Sequence, residues 1–292
     1  MRIRWARDCH HFITVMPRPI ELVVTTTGQP APWADLRETL LEHRVNVARV
    51  LVFDGNRETT PVGLVRSARL ELMPLGAPIG GGSRRHFCAL NRERPESGPL
   101  EVVAFDLHHQ VHAVDDRSIL ENTAAIPDMI ASARAIAGGS SIAVSVLSMG
   151  LHGVVDPRLH QDIGAAWLVA SLAGLARGGA DSVTFDGSLL IGGGDSPSPL
   201  LIALHAALEF SGAEVLPTDE MADLAILRLR SGKLIRTLIA NLSDRPLALP
   251  ESIVGSRSRR RAISLQGDWL GVALADPLPG RSAGIIDEDG SS

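Results

Sequence analysis

The sequence predicts an α/β fold, a TIM-type (β/α)-barrel followed by a small antiparallel β domain. From Ile20 to about Phe210, continuous apolar runs of strand length alternate with helical segments, which indicates a parallel sheet covered on both faces. A doubly wound sheet would give nearly the same pattern. Two observations favour the barrel. No GxGxxG motif joins a strand to a helix, and polar residues recur where strands end, at the edge where barrels gather their active sites: Asp54, Asp106 with His108, and Asp186.

Six βα units can be assigned in chain order. The predicted strands are short and rich in aliphatic or β-branched residues, and the third runs from an apolar start into three glycines. They are Ile20–Thr26, Val47–Phe53, Pro78–Ser83, Leu100–Leu107, Ile142–Leu147 and Ser182–Phe185. The helices have apolar residues at helical spacing. They are Trp33–His43, Pro61–Leu72, Phe87–Asn91, Ser118–Ala137, Asp162–Arg177 and Ser198–Phe210.

Several helix ends have a physical explanation. Pro61 is tolerated in a first turn, because its missing N–H would have had no partner there. Ser118 and Glu121 have the spacing of a capping box. Pro127 predicts a kink or a break in the helix that follows. Gly178-Gly179 supplies the stop of the strongest helix in the chain.

After about Pro217 the pattern changes to strands joined by turns, which predicts a small antiparallel β domain. The expected strands are Asp223–Leu229, Leu234–Asn241, Ala262–Leu265 and Gly271–Leu274. We therefore expect a barrel domain at residues 1–216 and a β-sandwich-like domain at 217–286. The last residues, 287–292, are expected to be a disordered tail.

Composition narrows the class of protein. A hydrophobic fraction of 45% is typical of an ordinary globular chain, and a net charge of −5 gives no sign of a nucleic-acid or anionic-membrane partner. Two cysteines without a CxxC motif favour free thiols in a reducing compartment. No signal peptide or apolar run of membrane-spanning length is evident. We expect a cytoplasmic protein that needs no cofactor.

The densest group of reactive side chains lies between Phe105 and Asp116, directly after a predicted buried strand. It contains three histidines, His108, His109 and His112, together with three carboxylates. Imidazole titrates near neutral pH, so this group could supply general acid–base catalysis. It could instead bind a divalent metal through two of the histidines, or be a polar loop whose last carboxylates begin the next helix. No HExxH or CxxC motif supports the metal, and we expect none.

Other candidate sites carry weaker signals. Gly80-Gly81-Gly82 followed by two arginines could expose backbone N–H groups to a carboxylate or phosphate, or could be a tight turn. Asp54 and Asp186 each end a strand and precede glycine, and Asp-Gly is also an ordinary turn signal. The basic run Arg257–Arg261 is most simply a solvated turn.

Several strings in one order resemble the D-apionate lactonase family over residues 20 to 275. They are Val50–Phe53, Pro78–Ser83, Phe87–Pro95, Gln110–Ala113 with Asp115, Val155–Arg158, Gly164–Trp167 and Gly179–Thr184. The resemblance implies a glycosidase-type barrel flanked by β domains and hydrolysis of the lactone of a branched sugar acid. By this likeness Gln110, His112 and Asp115 match the most recognisable string of the family, and Asn91 with Arg92 matches its Asn-Arg motif.

The sequence also departs from the family pattern. The family carries a β domain and the first barrel strands ahead of this region, so the resemblance implies a barrel that is incomplete at its N-terminus. His108-His109 stand where the family has Asn-Pro. Asp54 and Asp186 stand where it has glutamates. A carboxylate one methylene shorter shifts the reacting group by about 1 Å, which can lower a rate by about two orders of magnitude.

The predicted function is a lactonase-like hydrolase acting on a small sugar-acid lactone. His112 is the expected general acid/base, with Asp54 and Asp186 flanking the reacting carbon. The expected substrate-binding residues are Gln110, Asn91, Ser83, Asp115 and His109. The alternatives are a non-catalytic or degenerate sugar-acid-binding barrel and a glycoside hydrolase. Because six βα units leave open sheet edges, a homo-oligomer that covers them is an expected partner arrangement.

Overall fold

The computed structural model describes residues 19–27, 31–95, 100–150, 156–185, 197–251, 253, 258–264 and 273–290. They form two compact units. The first contains the residues up to Leu107 together with 129–147 and 180–184, and the second contains 108–128, 148–179 and the residues from Phe185 onward. Each unit is described by itself below.

Six strands form one sheet in chain order, β1-β2-β3-β4-β5-β6, and this confirms the predicted parallel, barrel-type architecture. The strands are β1 (Ile20–Thr26), β2 (Val47–Asp54), β3 (Ile79–His86), β4 (Val102–His108), β5 (Ser141–Ser148) and β6 (Ser182–Phe185). A TIM barrel has eight strands, so the barrel formed by the described residues is incomplete. The first two strands pair in register from Glu21 opposite Arg49 to Thr26 opposite Asp54.

The helices follow the predicted order. They are α1 (Trp33–Glu42), α2 (Val62–Leu72), α3 (Phe87–Arg92), α4 (Asp116–Glu121), α5 (Ile126–Ala137), α6 (Asp162–Gly178) and α7 (Pro199–Leu208). The helix expected from Ser118 is divided by a 3₁₀ turn at Asn122–Ala125, immediately before Pro127. Its cap is Asp115 rather than Ser118, because the Asp115 carboxylate accepts the N–H of Ser118 at 2.9 Å.

The core of the first unit has two layers. Outside the sheet, α1 and α2 pack apolar side chains such as Leu36 and Leu64 against Val50 and Val52. Inside it, a smaller cluster is formed by Val23, Leu51, Phe53, Val102, Ala104 and Ala143. Successive side chains of a strand point to opposite faces, which explains why every position of β2 from Val50 to Phe53 is apolar and buried.

A polar group joins the first and last strands of this sheet. Arg49 on β2 hydrogen-bonds Glu21 on β1 and also Ser182 on β6. Thr184 on β6 donates to Glu21 at 3.1 Å. Glu21 and Arg49 share the strand face of Val23 and Leu51, so these side-chain bonds lie on the inner face of the curled sheet.

The three glycines, for which the sequence allowed an anion-binding loop or a tight turn, are a buried part of β3, within the predicted strand Pro78–Ser83. Gly82 has φ +143°, and a Cβ there would overlap the carbonyl oxygen of Ala104 on β4. A Cβ at Gly80 would come within 2.6 Å of the Val102 oxygen. The N–H of Gly82 is bound by Thr60 Oγ1 at 3.0 Å. Close packing of neighbouring backbones explains the glycines, so the loop interpretation was wrong.

The second unit contains a five-stranded antiparallel sheet in the order β10-β11-β9-β8-β7. Its strands are β7 (Glu214–Leu216), β8 (Leu224–Ser231), β9 (Leu234–Asn241), β10 (Arg259–Ile263) and β11 (Ser282–Asp289). Of the predicted strand Gly271–Leu274, residues 271 and 272 lie outside the described residues, and Ala273 and Leu274 are not in a strand. Strand β11 was not predicted, and its last residues, Asp287–Asp289, belong to the expected disordered tail. They pair with β9 in a full ladder.

Both faces of this sheet are covered within the second unit. One face holds Leu224, Ile226, Ile239 and Ile286, which pack beneath four apolar residues of connecting segments: Leu249, Ile253, Leu274 and Leu278. The alternate positions face the other way, and helix α6 contacts β8, β9 and β11. A helix assigned to the barrel by its sequence therefore packs on the antiparallel sheet.

Candidate functional site

Asp54, one of the three predicted catalytic residues, ends β2. Its Oδ1 accepts a hydrogen bond from the backbone N–H of Asn56 at 2.9 Å, which closes a turn after the strand. The residue is half-buried. The Asp-Gly signal of the sequence is therefore a real turn, and the carboxylate remains at the carboxyl edge of the sheet.

A second carboxylate, Asp106, lies near the end of β4. Ser145 on β5 donates its hydroxyl hydrogen to Asp106 Oδ1 at 2.7 Å, and both residues are buried. Asp106 alternates along β4 with Val102 and Ala104, which belong to the inner cluster, so its side chain shares their face. The sequence places Asp106 at a strand end but gives no sign of its pairing with Ser145, which follows Ala143 of the same cluster by two residues.

The predicted binding residues Ser83 and Asn91 occupy different environments. Ser83 is fully buried in β3, where its hydroxyl accepts the N–H of Arg85 at 3.2 Å. Asn91 is exposed on α3. Arg84 is also exposed, and its guanidinium carbon lies 5.7 Å from the ring centre of Phe53. Asn91 and Arg84 are thus open to solvent in the first unit, whereas Ser83 is part of the sheet interior.

Four further predicted residues share one loop of the second unit, between β4 and α4. His109 and Gln110 are each 3% exposed, whereas His112 and Asp115 are exposed. Asp115 is the N-cap of α4, and its hydrogen bonds with Ser118 lower the pKa of its carboxyl. The loop has a buried first part and an exposed second part.

His109 is held by the indole of Trp167 on α6. Trp167 Nε1 donates to His109 Nδ1 at 3.0 Å, and the two rings meet edge to face with centroids 5.5 Å apart. Burial, followed by the charge of His108, lowers the pKa of His109 to about 4. His109 is therefore neutral near pH 7. The neighbouring His108 hydrogen-bonds Ser148 through its own Nδ1.

Gln110 belongs to a buried polar group around Asp156. Its side-chain amide donates to Asp156 Oδ2. Arg158 binds both oxygens of the same carboxylate, with Nε at 2.9 Å from Oδ1 and Nη2 at 2.6 Å from Oδ2. Burial alone would raise the pKa of Asp156, but the hydrogen bonds from Arg158 and Gln110 outweigh it and lower the pKa to about 2. The orientation of the Gln110 amide is thereby set.

The same group extends to the antiparallel sheet. Arg158 Nη1 donates to the carbonyl oxygen of Val114 at 2.7 Å and to Asp116 Oδ1 at 3.0 Å. The other oxygen of Asp116 accepts from Arg281 at 2.8 Å, immediately before β11. Asp116, a carboxylate in the first turn of α4, thus joins the loop to the second sheet. Contacts between residues this distant in the chain have no local sequence signal.

A cleft of about 510 Å³ opens beside Arg281 in the second unit. Three arginines and three carboxylates line it: Arg117, Arg245, Arg281, Glu121, Asp223 and Asp244. Their charges cancel, and each arginine is paired with a carboxylate. The cleft therefore shows no preference for an anion.

Asp186 and Cys9 lie outside the described residues. Among the residues that are described, no three His, Cys, Asp or Glu side chains come together as a metal site. The described helices include none with the length and apolarity needed to cross a membrane.

The fold resembles those of several solved structures at low sequence identity. A glucosidase from Croceicoccus marinus matches with a TM-score of 0.63 and 12% identity, covering 94% of this chain and 79% of that one. A conserved exported protein from Bacteroides fragilis matches with a TM-score of 0.58 and 12% identity over 91% and 72% of the two chains. A family 30 endoxylanase from Clostridium papyrosolvens matches with a TM-score of 0.51 and 9% identity over 88% and 71%.

No curated protein sequence matches the chain. Residues 10–190 match the model of the D-apionate lactonase TIM-barrel domain. That match spans more than half of the 292 residues and includes the loop with Gln110 and His112. The chain therefore belongs to the D-apionate lactonase family.

Proposed function

We propose that this protein is a lactonase-like hydrolase that opens the lactone of a small branched sugar acid such as D-apionolactone. The observation that carries the proposal is the family match over residues 10–190, which includes the polar loop after β4. The loop offers a buried amide and a buried neutral imidazole beside an exposed histidine. Such groups suit hydrolysis of an uncharged ester that is surrounded by hydroxyl groups.

The proposed reaction is ester hydrolysis. A water oxygen bonds to the lactone carbonyl carbon, and the carbonyl oxygen takes up negative charge in a tetrahedral intermediate. The ring C–O bond then breaks, and the leaving oxygen receives a proton, so the product is the open hydroxy acid. A general base that removes the proton of the water and returns it to the leaving oxygen would balance the reaction.

We assign the base role to His112, because it is an exposed imidazole in the loop that otherwise holds buried polar groups. Asp54 and Asp186 are proposed to flank the reacting carbon. Gln110, Asn91, Ser83, Asp115 and His109 remain the proposed substrate-binding residues. Of these, Gln110 donates a side-chain N–H to Asp156, which fixes the amide so that its carbonyl oxygen is the acceptor for a sugar hydroxyl.

The test is lactone opening by purified protein, followed as acid release at constant pH. We expect D-apionolactone to be opened faster than unbranched sugar-acid lactones. His112→Ala should lower kcat by about 10²- to 10⁴-fold, the usual contribution of a general acid–base group. His205→Ala on α7 changes another accessible histidine and should leave the rate unchanged. Equal rates for wild type and His112→Ala would remove His112 from the mechanism.

A non-catalytic sugar-acid binder would bind the lactone or its acid without turnover, which calorimetry would reveal alongside the rate assay. Glycoside hydrolysis is the other candidate, and the buried Asp106 near a strand end favours it. That reaction requires a second carboxyl at about 5–9.5 Å. Hydrolysis of aryl glycosides, abolished by Asp106→Asn, would support it over the lactonase.

A further inference from the structure

The hydrogen-bond partner of His109 Nδ1 determines that this ring nitrogen is an acceptor. The indole N–H of Trp167 can only donate, so His109 Nδ1, at 3.0 Å, must accept and carries no hydrogen. A neutral imidazole then has its hydrogen on Nε2. The ring is held in place by the edge-to-face contact with Trp167. The backbone of His109 is fixed by Asn122, whose side-chain amide donates to the His109 carbonyl oxygen at 2.9 Å.

The Nε2–H group of His109 is buried and has no hydrogen-bond partner among the described residues. His109 itself is 3% exposed. A buried donor without an acceptor is unfavourable, and in native proteins such groups call for a specific explanation. A ligand oxygen that accepts a hydrogen bond would supply one.

The ring also has the right charge for such a role. Burial, followed by the charge of His108, keeps the pKa of His109 near 4, so the ring stays neutral at the pH of most enzymes. A neutral imidazole donates a hydrogen bond without giving up its proton, and it can stabilise an oxygen on which negative charge develops. A carboxylate could not do this, because when ionised it has no hydrogen to donate.

We propose that His109 Nε2–H donates to the carbonyl oxygen of the bound lactone and stabilises its negative charge in the tetrahedral intermediate. This inference rests on the proposed lactonase function. Trp167 acts as a positioning residue, because its N–H selects the tautomer and it does not touch the substrate. No proton is transferred in this step. The hydrogen stays on Nε2 while the water oxygen adds to the carbon.

The first test needs no activity. Nitrogen NMR of the full-length protein labelled on histidine should show His109 at pH 7 as a neutral ring with hydrogen on Nε2. Trp167→Phe removes the indole N–H, and we expect the His109 signals to become a mixture of the two tautomers. A ring protonated on Nδ1, or a fully charged ring at pH 7, would overturn the inference whatever the enzyme does.

The second test uses lactone opening. His109→Leu should lower kcat by about 10²- to 10³-fold, as the loss of one such donor does, with a smaller change in KM. His109→Gln, which retains a side-chain N–H, should recover part of kcat. Trp167→Phe should lower kcat less than His109→Leu. His205→Leu is the matched control and should leave kcat unchanged.

The outcomes separate the two claims. If wild type opens no lactone, the proposed function fails, while the NMR measurement still decides the state of His109. If wild type is active and folded His109→Leu has the same kcat, the donor role is wrong and the lactonase stands. Should His109→Leu fail to fold, Trp167→Phe carries the test. If NMR shows that the His109 tautomers are mixed in this variant and kcat is nevertheless unchanged, the donor role is refuted.

Discussion

Two buried ionisable residues of the second unit, His109 and Asp156, show how surroundings set charge. His109 is paired with an indole, a neutral donor that compensates no charge, so burial lowers its pKa and the ring is neutral. Asp156 is also buried, but a guanidinium binds both of its oxygens and its pKa is lowered to about 2, so it stays charged. Neighbours that are distant in the chain decide both states.

The first prediction concerns the stability of the folded protein against pH. The pKa of His109 is about 4 when folded and about 6.5 when unfolded. Between these two pH values the unfolded chain binds more protons at His109 than the folded chain does. The contribution of the neutral ring to the free energy of unfolding is therefore fully present above about pH 6.5 and is lost as the pH falls towards 4. At about 1.4 kcal/mol per pKa unit the loss reaches roughly 3 kcal/mol. Urea unfolding of wild type and His109→Gln at pH 7 and pH 4.5 measures it.

The variant should lose less stability on acidification than wild type, because it lacks the titrating ring. His205→Gln, in which the changed histidine is accessible on α7, should follow wild type. Parallel stability–pH curves for wild type and His109→Gln would contradict the burial of a neutral ring.

The second prediction concerns Arg158. Arg158→Met leaves the Asp156 carboxylate, whose side chain is 8% exposed, without its cation. Breaking a buried ion pair at one partner costs about 3–5 kcal/mol, so urea unfolding should show a loss of that order. Arg158→Lys should recover only part of it, because an ammonium cannot bind both oxygens in a planar fork.

The matched control is Arg117→Met. Arg117 pairs with Glu121 one helical turn away, and both side chains are exposed. Such pairs contribute about 0.3–0.5 kcal/mol. Equal losses in the two variants would mean that Asp156 is more hydrated than the structure indicates.

At the scale of elements, strand β3 can pair with β4 only because Gly80 and Gly82 have no side chain. The third prediction is that Gly82→Ala lowers the free energy of unfolding by about 3 kcal/mol or more, because a Cβ would overlap the Ala104 backbone and φ is +143°. The readouts are urea unfolding and the yield of soluble protein. Gly63→Ala on α2, where nothing lies within 4 Å of the added carbon, should be neutral or stabilising. A stable Gly82→Ala would show that β3 and β4 can move apart.

At the scale of the molecule, the antiparallel sheet shares its core with helices that precede it in the chain. Helix α6 contacts β8, β9 and β11. Arg236 on β9 binds Glu209, which follows α7, and also Asp287 on β11. Its guanidinium lies 4.5 Å from the ring centre of Phe210. The second sheet therefore depends on α6 and on residues 199–210 for the cover of one face.

The fourth prediction follows from that cover. A fragment of residues 217–292, the β domain with its tail as expected from sequence, should not fold alone, because one apolar face of its sheet would be exposed to water. The proton NMR spectrum of this fragment should lack the chemical-shift dispersion of a folded protein. The spectrum of a fragment of residues 108–292 should be more dispersed. A dispersed spectrum for 217–292 would support the sequence-based boundary instead.

Local patterns identified most elements, and the reason is local chemistry. Val47–Phe53 and Leu234–Asn241 are mostly apolar over the length of a strand. Gly179, in the left-handed region, ends α6 as its position predicted. Strands β7 and β11 were not predicted. Strand β11 contains Gly284 and three acidic residues at its end. This strand is stabilised by pairing with β9 on one side and β10 on the other. Those partners lie elsewhere in the chain, so the local sequence of β11 does not indicate them.

For the candidate site, the sequence identified the loop from His108 to Asp116, because a local concentration of histidines and carboxylates is visible without any structure. Composition could not tell that His109 would be neutral, that Gln110 would face Asp156, or that Asp116 would bind Arg281. Those properties depend on burial and on hydrogen bonds between residues 40 or more positions apart, and the chain acquires both only when it folds.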